Sequence, residues 1–361
     1  MTEEEGIKFT VPKGIFYNPN MEFSRSLSSL AVGAIEKPIE ICDSFCASGI
    51  RGIRYAKENK NVKKVTFADI EKPAIKAVEK NAKKAKIKFK TEHGNISKLV
   101  FDISADFLEI DPFGTPAPYL YDGFRVFNPK KSAYLSVTAT DVAVLCGGKT
   151  KACMKNYHSR PLNNEFTHEN GLRILIKKIA DVAAEFNMGI YPLVSVSDRH
   201  YLKTILEVKR GAELADKSLH SLGYVEFCPS CGYREKVKFP KGKCGYCKAI
   251  TDYTGPLWTG ELHDKKFLEK MEKLNNKRSY SQKKELGKTI ELLKQETGMP
   301  PYYYNIHILS KRFNKHYVPR MDEFIDKLKK KKYNAAKTHF SPISIKTDAP
   351  YKELEKLIKK K

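Results

Sequence analysis

Short runs of β-branched and apolar residues alternate with longer amphipathic stretches from about Ile39 to Val196. Short apolar runs bounded by turn residues read as strands, and stretches with apolar positions three or four apart read as helices. The sequence predicts strands over Pro38–Asp43, Val62–Asp69, Ile87–Glu92, Ala105–Asp111, Ser132–Thr138 and Gly189–Val196. It predicts helices over Ile50–Glu58, Pro73–Lys86 and Asn170–Phe186. That alternation implies right-handed crossovers and a mostly parallel sheet. Sheets of this kind bind ligands at the carboxyl ends of their strands.

The rhythm changes after Val196. His200–Gly211 reads as one more strand, followed by a cysteine-rich segment and then Gly255-Pro256-Leu257-Trp258-Thr259-Gly260, which reads as a connector. Lys265–Gly298 is mostly charged helix, and Asn305–Phe313 and Arg320–Lys332 are two more helices before the extended run Thr338–Ile345. Helix, turn, helix and extended chain suggest a winged-helix-like module. The expected division is therefore 1–254, including a metal-binding segment at 224–250, and a smaller basic α+β domain at 255–361.

Charge adds a partner to this picture. The 361 residues carry a formal net charge of +24, and 41% are hydrophobic, enough for a substantial core. From Gly255 onward there are 26 basic and 13 acidic residues, so over half of the surplus lies in under a third of the chain. Such a surplus favours polyanions, nucleic acid above all. No stretch reaches the roughly 20 apolar residues of a membrane span. The acidic start Met1-Thr2-Glu3-Glu4-Glu5 lacks a signal peptide's apolar region. A cytoplasmic protein is expected, with no membrane association and no obligate protein partner. Its eight cysteines are then not expected as disulfides.

Three constellations carry chemistry. In the first, a strand ends on Asp43, the small-residue loop Ser44–Gly49 follows, and Ile50 and Arg51 open a helix. Small residues let a ligand approach the backbone, and a helix start offers free N–H groups. Neither a phosphate loop nor a full G-x-G-x-x-G fingerprint is present. Asp69, at the end of the second strand, is placed to bond both ribose hydroxyls of a nucleoside. Asn95 and Ile96, after the third strand, are placed to hold an adenine. Together these outline an adenosine-bearing cofactor without a pyrophosphate, favouring S-adenosylmethionine over NAD. The second constellation is Asp111-Pro112-Phe113-Gly114. An exocyclic amine on a base is a poor nucleophile, and a carboxylate that accepts its hydrogen bond can also take up its proton. The adjacent aromatic gives an extracted base a stacking face. The third is Cys228-Pro229-Ser230-Cys231 with Cys244-Gly245-Tyr246-Cys247, two C-x-x-C knuckles suited to one tetrahedral structural zinc.

Taken in order, Phe16-Tyr17-Asn18-Pro19-Asn20-Met21, Ala47–Arg54, Asp111–Gly114, Val137-Thr138-Ala139-Thr140-Asp141, Leu145-Cys146-Gly147-Gly148, Thr338–Pro342 and Ile345–Pro350 make the chain resemble the archaeal tRNA (guanine(26)-N(2))-dimethyltransferases nearly end to end. The resemblance implies an α/β fold: a Rossmann-like S-adenosylmethionine-dependent methyltransferase domain, a zinc-knuckle insertion and a smaller winged-helix-like domain that binds tRNA. It implies one or two methylations of the 2-amino group of a single guanine. Residues matching Arg25, Arg51, Asp69, Asn95 and Ile96 would contact the cofactor, and Asp43, where the first strand meets the small-residue loop, is a further cofactor-binding candidate. Those matching Asp111 and Phe113 would act on the base, with Phe16 enclosing it. Where Asn95 stands the family often has an acid. Amino methylation of another base, adenine in DNA or guanine in rRNA, is the rival enzymatic reading, and a non-catalytic zinc-containing RNA-binding protein is the rival outside enzymes.

Overall fold

A computed structural model describes residues 1–127, 130–313 and 318–359. Its centre is a seven-stranded sheet of β1 (Ile39–Asp43), β2 (Val62–Asp69), β3 (Phe89–His93), β4 (Phe107–Ile110), β5 (Ser132–Ala139), β6 (Met188–Asp198) and β7 (Tyr201–Arg210). The order across the sheet is β3-β2-β1-β4-β5-β7-β6. Strands β1 to β5 run parallel. Strand β7 inserts antiparallel between β5 and β6. The order reverses at β1 and β4, and this switch point opens a crevice at their carboxyl ends.

Helices cover both faces. On one side lie α1 (Glu22–Ala34), α2 (Ile50–Glu58) and α3 (Lys72–Ala85). Helix α3 shows why a lysine-rich stretch folds: Ala74, Ile75, Ala77, Val78 and Ala82 form one buried face while its lysines stay out. Each large apolar side chain so buried contributes about 1.5–3 kcal/mol. Val78→Asp would place a carboxylate in that face and break it. The opposite side holds the helices Ala117–Arg125 and Thr167–Glu185.

The carboxyl-terminal part departs from expectation in one respect. No connector lies at Gly255. Strand Asp252–Trp258 runs through it, pairing with Leu222–Phe227. Gly255 also exchanges 2.9 Å backbone hydrogen bonds with Arg160 in both directions. A Cβ at 255 would lie 2.9 Å from the Gly223 carbonyl oxygen, so glycine here serves close backbone approach and not a turn. The charged helices Lys265–Lys277 and Lys283–Glu296 bury Leu268, Met271, Leu286, Ile290 and Leu293 in the same core as α1. A separate core begins only at Tyr304, with Ile306, Leu309, Phe324, Leu328, Ile345 and Leu354. There the helices Ile306–Arg312 and Met321–Lys330 precede the hairpin Ala335–Thr338/Ser341–Thr347, the helix–helix–hairpin order of a winged helix.

Two histidines help join this module to the sheet. Strand β6 is an edge, and its Ser195 and Ser197 N–H groups donate to His263 Nδ1 at 3.3 Å and His339 Nε2 at 3.2 Å. Side chains thus satisfy an edge that would otherwise seek another strand. No helix among the described residues is long and apolar enough to cross a membrane.

Candidate active site

The crevice at the carboxyl ends of β1, β2 and β4 holds a cavity of about 420 Å³. Phe16, Arg25, Asp43, Arg51, Asp69, Asp111 and Phe113 all line it. These residues come from six segments spread over about a hundred positions, and the sheet gathers them. The loop after β1 shapes the floor. Gly49 adopts φ +78°, and a Cβ there would sit 2.9 Å from Val78, so the turn needs glycine. The Ala47 N–H donates to Asp69 Oδ2 at 2.9 Å and the Glu71 N–H to Oδ1 at 3.0 Å. Both oxygens of Asp69 keep acceptor capacity toward the cavity.

At the rim, Phe16 and Phe113 meet edge to face with centroids 4.6 Å apart, and Phe113 is 76% exposed. The two exposed rings together form an apolar lip at the cavity mouth. The turn beneath Phe113 is pinned: the Gly114 N–H donates to Thr140 Oγ1 at 2.8 Å, and the Thr140 N–H returns to the Gly114 carbonyl at 3.0 Å.

Charge is concentrated behind Phe113. Arg51 forms an ion pair with Asp111. Burial raises the Asp111 carboxyl, but the Arg51 guanidinium and Lys203 ammonium more than offset it and hold it below the usual carboxylate range. It stays ionised and accepts hydrogen bonds. Asp43 behaves oppositely. Burial, with the charges of Glu109 and Asp111, outweighs the pull of Arg51 and pushes its carboxyl up to about 7. Arg25 lines the cavity while its guanidinium is held by buried Glu4, with Nε 2.8 Å from Oε1.

Asn95 and Ile96 are not among the lining residues. Asn95 caps a short helix, its oxygen accepting the Ser97 N–H at 3.0 Å, and Ile96 is buried in the core. Several lining residues escape the sequence reading, notably Tyr17, Glu71 and the edge-to-face pair Phe45–Tyr119 at 4.8 Å. Phe45 lies in the loop the sequence singles out, which is the one local hint of it.

The four cysteines converge 3.5 Å apart for Cys228–Cys247 and 3.7 Å for Cys231–Cys244. Backbone N–H groups of Tyr233 and Tyr246 point at Cys231 and Cys244. A second cluster, His263, Glu296 and His339, also brings its ligand atoms within 4.8 Å of one another. There both His339 nitrogens are committed, and Lys346 Nζ lies 3.1 Å from Glu296 Oε2. An ammonium already supplies the positive charge, so this cluster is a structural junction.

This strand order, with an acid at the end of β2 and an aromatic-lipped acidic pocket beyond β4, defines a Rossmann-like methyltransferase. The family model for N2,N2-dimethylguanosine tRNA methyltransferase matches residues 1–359, and the chain belongs to that family. It is 33% identical to the tRNA (guanine(26)-N(2))-dimethyltransferase of Methanobrevibacter smithii, over 99% of this chain and 97% of that one. It is 33% identical to the tRNA (guanine(26)-N(2)/guanine(27)-N(2))-dimethyltransferase of Aquifex aeolicus, over 95% and 89%. The structure of Trm1 from Pyrococcus horikoshii with S-adenosyl-L-methionine superposes with a TM-score of 0.89 at 30% identity, covering 98% of each chain.

Proposed function

We propose that this protein transfers one or two methyl groups from S-adenosylmethionine to the 2-amino group of guanine-26 in tRNA. The observation that carries the reading is the end-to-end family match, combined with an ionised Asp111 beneath the open Phe16–Phe113 lip. Methylation of another base, or a non-catalytic RNA-binding role, is not favoured by that match.

The residues present suit the cofactor. S-adenosylmethionine supplies an electrophilic methyl on a sulfonium, and it is cationic at both sulfur and amine. The cavity offers Asp43, Asp69 and Glu71. Asp69 would accept the ribose hydroxyls, and Asp43, Arg25 and Arg51 would hold the amino-acid end. Asn95 and Ile96, implied by the family resemblance as adenine contacts, would lie just beyond the lining.

Phe113 stacks on the flipped guanine and Phe16 closes over it. Asp111 accepts hydrogen bonds from the Watson–Crick edge, which orients the amine and raises its electron density. The nitrogen–carbon bond would form as the methyl's bond to sulfur breaks, its electron pair leaving with the now neutral sulfur. The nitrogen then carries an extra proton, which Asp111 would accept and pass to solvent. The monomethyl product retains an N–H, so the same groups act a second time. The basic winged-helix module and its neighbouring helices would grip the tRNA backbone, an interaction that weakens with salt.

The four cysteines would hold one structural zinc. Tetrahedral thiolates at about 2.3 Å from zinc lie about 3.8 Å apart, close to the separations above. One zinc per chain by mass spectrometry, lost in Cys228→Ser, is expected; a metal-free native protein would remove the assignment.

Unmodified tRNA transcripts incubated with labelled methyl donor and digested to nucleosides test the whole reading. Mono- and dimethylguanosine from position 26 are expected. Label in adenosine, or none, would overturn it.

A further inference from the structure

Behind Asp111 lies a charged pair, Glu109 and Lys203, that is not among the residues lining this cavity. Glu109 lies on β4, two residues before Asp111, and Arg51 reaches toward both carboxylates. Glu109 is fully buried. Its Oε2 accepts from Tyr55 Oη at 2.8 Å, and its Oε1 lies 2.6 Å from Lys203 Nζ. Lys203 is also buried, and its second partner is Thr138 Oγ1 at 2.9 Å, the residue directly across the β5–β7 ladder.

Arg51 stands between two carboxylates. Its Nη2 is on Asp111, while its Nη1 is 3.8 Å from Glu109 Oε1 and makes no hydrogen bond among the described residues. A buried carboxylate at that distance would ordinarily draw a guanidinium into a two-pronged pair. Here the Lys203 ammonium already occupies Glu109. A buried lysine carries a large desolvation cost, and an apolar side chain would fill the space without it. Its charge therefore has a local use.

We propose that Lys203 is a positioning residue for Asp111: by neutralising Glu109 it leaves Arg51 to Asp111. This rests on the function proposed above. Without the ammonium, Glu109 competes for Arg51, and Asp111 loses the partner that fixes its oxygens toward the base.

The test is a double-mutant cycle on the full-length protein with tRNA transcript. Lys203→Met should lower kcat about 30-fold while the Kd for tRNA stays within about threefold. Lys203→Met combined with Glu109→Gln removes the competitor as well, and should recover kcat to within about threefold of wild type. A purely structural lysine would give a double variant no better than the single one. Should Lys203→Met not fold, Lys203→Gln keeps hydrogen-bonding capacity without the charge and should show the same loss of kcat and the same recovery with Glu109→Gln. Wild-type kcat in the single variant, or a double variant that stays impaired, overturns the proposal. A wild-type protein that does not methylate guanine overturns the functional reading itself, and is distinguished because it is measured first.

Discussion

Two of the buried networks of charged groups differ in whether they reach a cavity. At the cavity, Glu109, Lys203, Arg51 and Asp111 run from the core outward and end at Asp111, whose side chain is 18% exposed. At the domain junction, Glu169 meets Arg173 at 2.8 Å and Lys346 at 2.9 Å, and accepts the Tyr302 N–H at 3.0 Å. Lys346 continues to Glu296, and Glu296 to His339. No side chain of that second chain is more than 4% exposed. A buried charge is costly unless it is paired, so a network buried throughout fastens elements together. An open one delivers the same restraint to a group that meets a ligand. The comparison predicts that breaking the first network costs catalysis, and breaking the second costs stability.

The sharpest contrast should come from one residue in each. Asp111→Ala is expected to lower kcat about 10³-fold, while S-adenosylmethionine binding stays nearly intact. Calorimetric titration with cofactor and the transcript assay read the two quantities separately, and full activity would remove Asp111 from the mechanism. Glu169→Gln should do the reverse. It removes the buried carboxylate that Lys346 and Arg173 share, at a cost of about 3 kcal/mol in urea denaturation. The kcat of the molecules that remain folded should match wild type. A loss of kcat at unchanged stability would mean that the junction is not merely a fastening.

Acid should loosen the junction next. Burial holds His263 neutral, with its pKa lowered to about 3, so the unfolded chain binds a proton that the folded one refuses. Glu296 adds to this. Burial raises its carboxyl, but His339 and Lys346 hold it well below the ordinary range. Both signs agree: stability is present near neutral pH and is lost as pH falls. For His263 alone the slope is about 1.4 kcal/mol per pH unit below about 6. His263→Asn keeps an acceptor for the Ser195 N–H and should flatten that part of the curve. Unchanged acid sensitivity in this variant would locate the effect elsewhere.

Both networks were only half legible in the sequence, and for one reason. Periodicity and punctuation are local. They located Ile50–Glu58 and Val62–Asp69, and they put Asp43, Asp69 and Asp111 where strands end. The four cysteines were legible for the same reason, since spacing is their signal. Partners far apart in sequence left no local trace. Glu4 looked like part of an acidic tail, yet it is buried against Arg25 and Arg54. Lys203 lies 94 residues from Glu109 and looked like one more lysine in a basic chain. Gly255–Gly260 reads as a connector because glycine and proline usually punctuate elements, whereas here Gly255 lets two backbones approach within a strand.

The smallest expected effect bears on what the open network does when a ligand arrives. Asp43, with its carboxyl pushed up to about 7, takes a proton as pH falls through neutrality. A cationic cofactor end beside it favours the ionised form, so binding and proton release are linked. Affinity for S-adenosylmethionine should therefore fall about tenfold between pH 8 and pH 6, the range over which such a group loses most of its charge. Asp43→Asn should bind more weakly at pH 8 and show no such dependence. Calorimetry in buffers of different ionisation enthalpy would also register proton release on binding to the wild type near pH 7. A flat affinity profile in the wild type would place the cofactor's charge away from Asp43. Asp111, held ionised throughout this range by Arg51 and Lys203, adds no pH dependence of its own to that affinity.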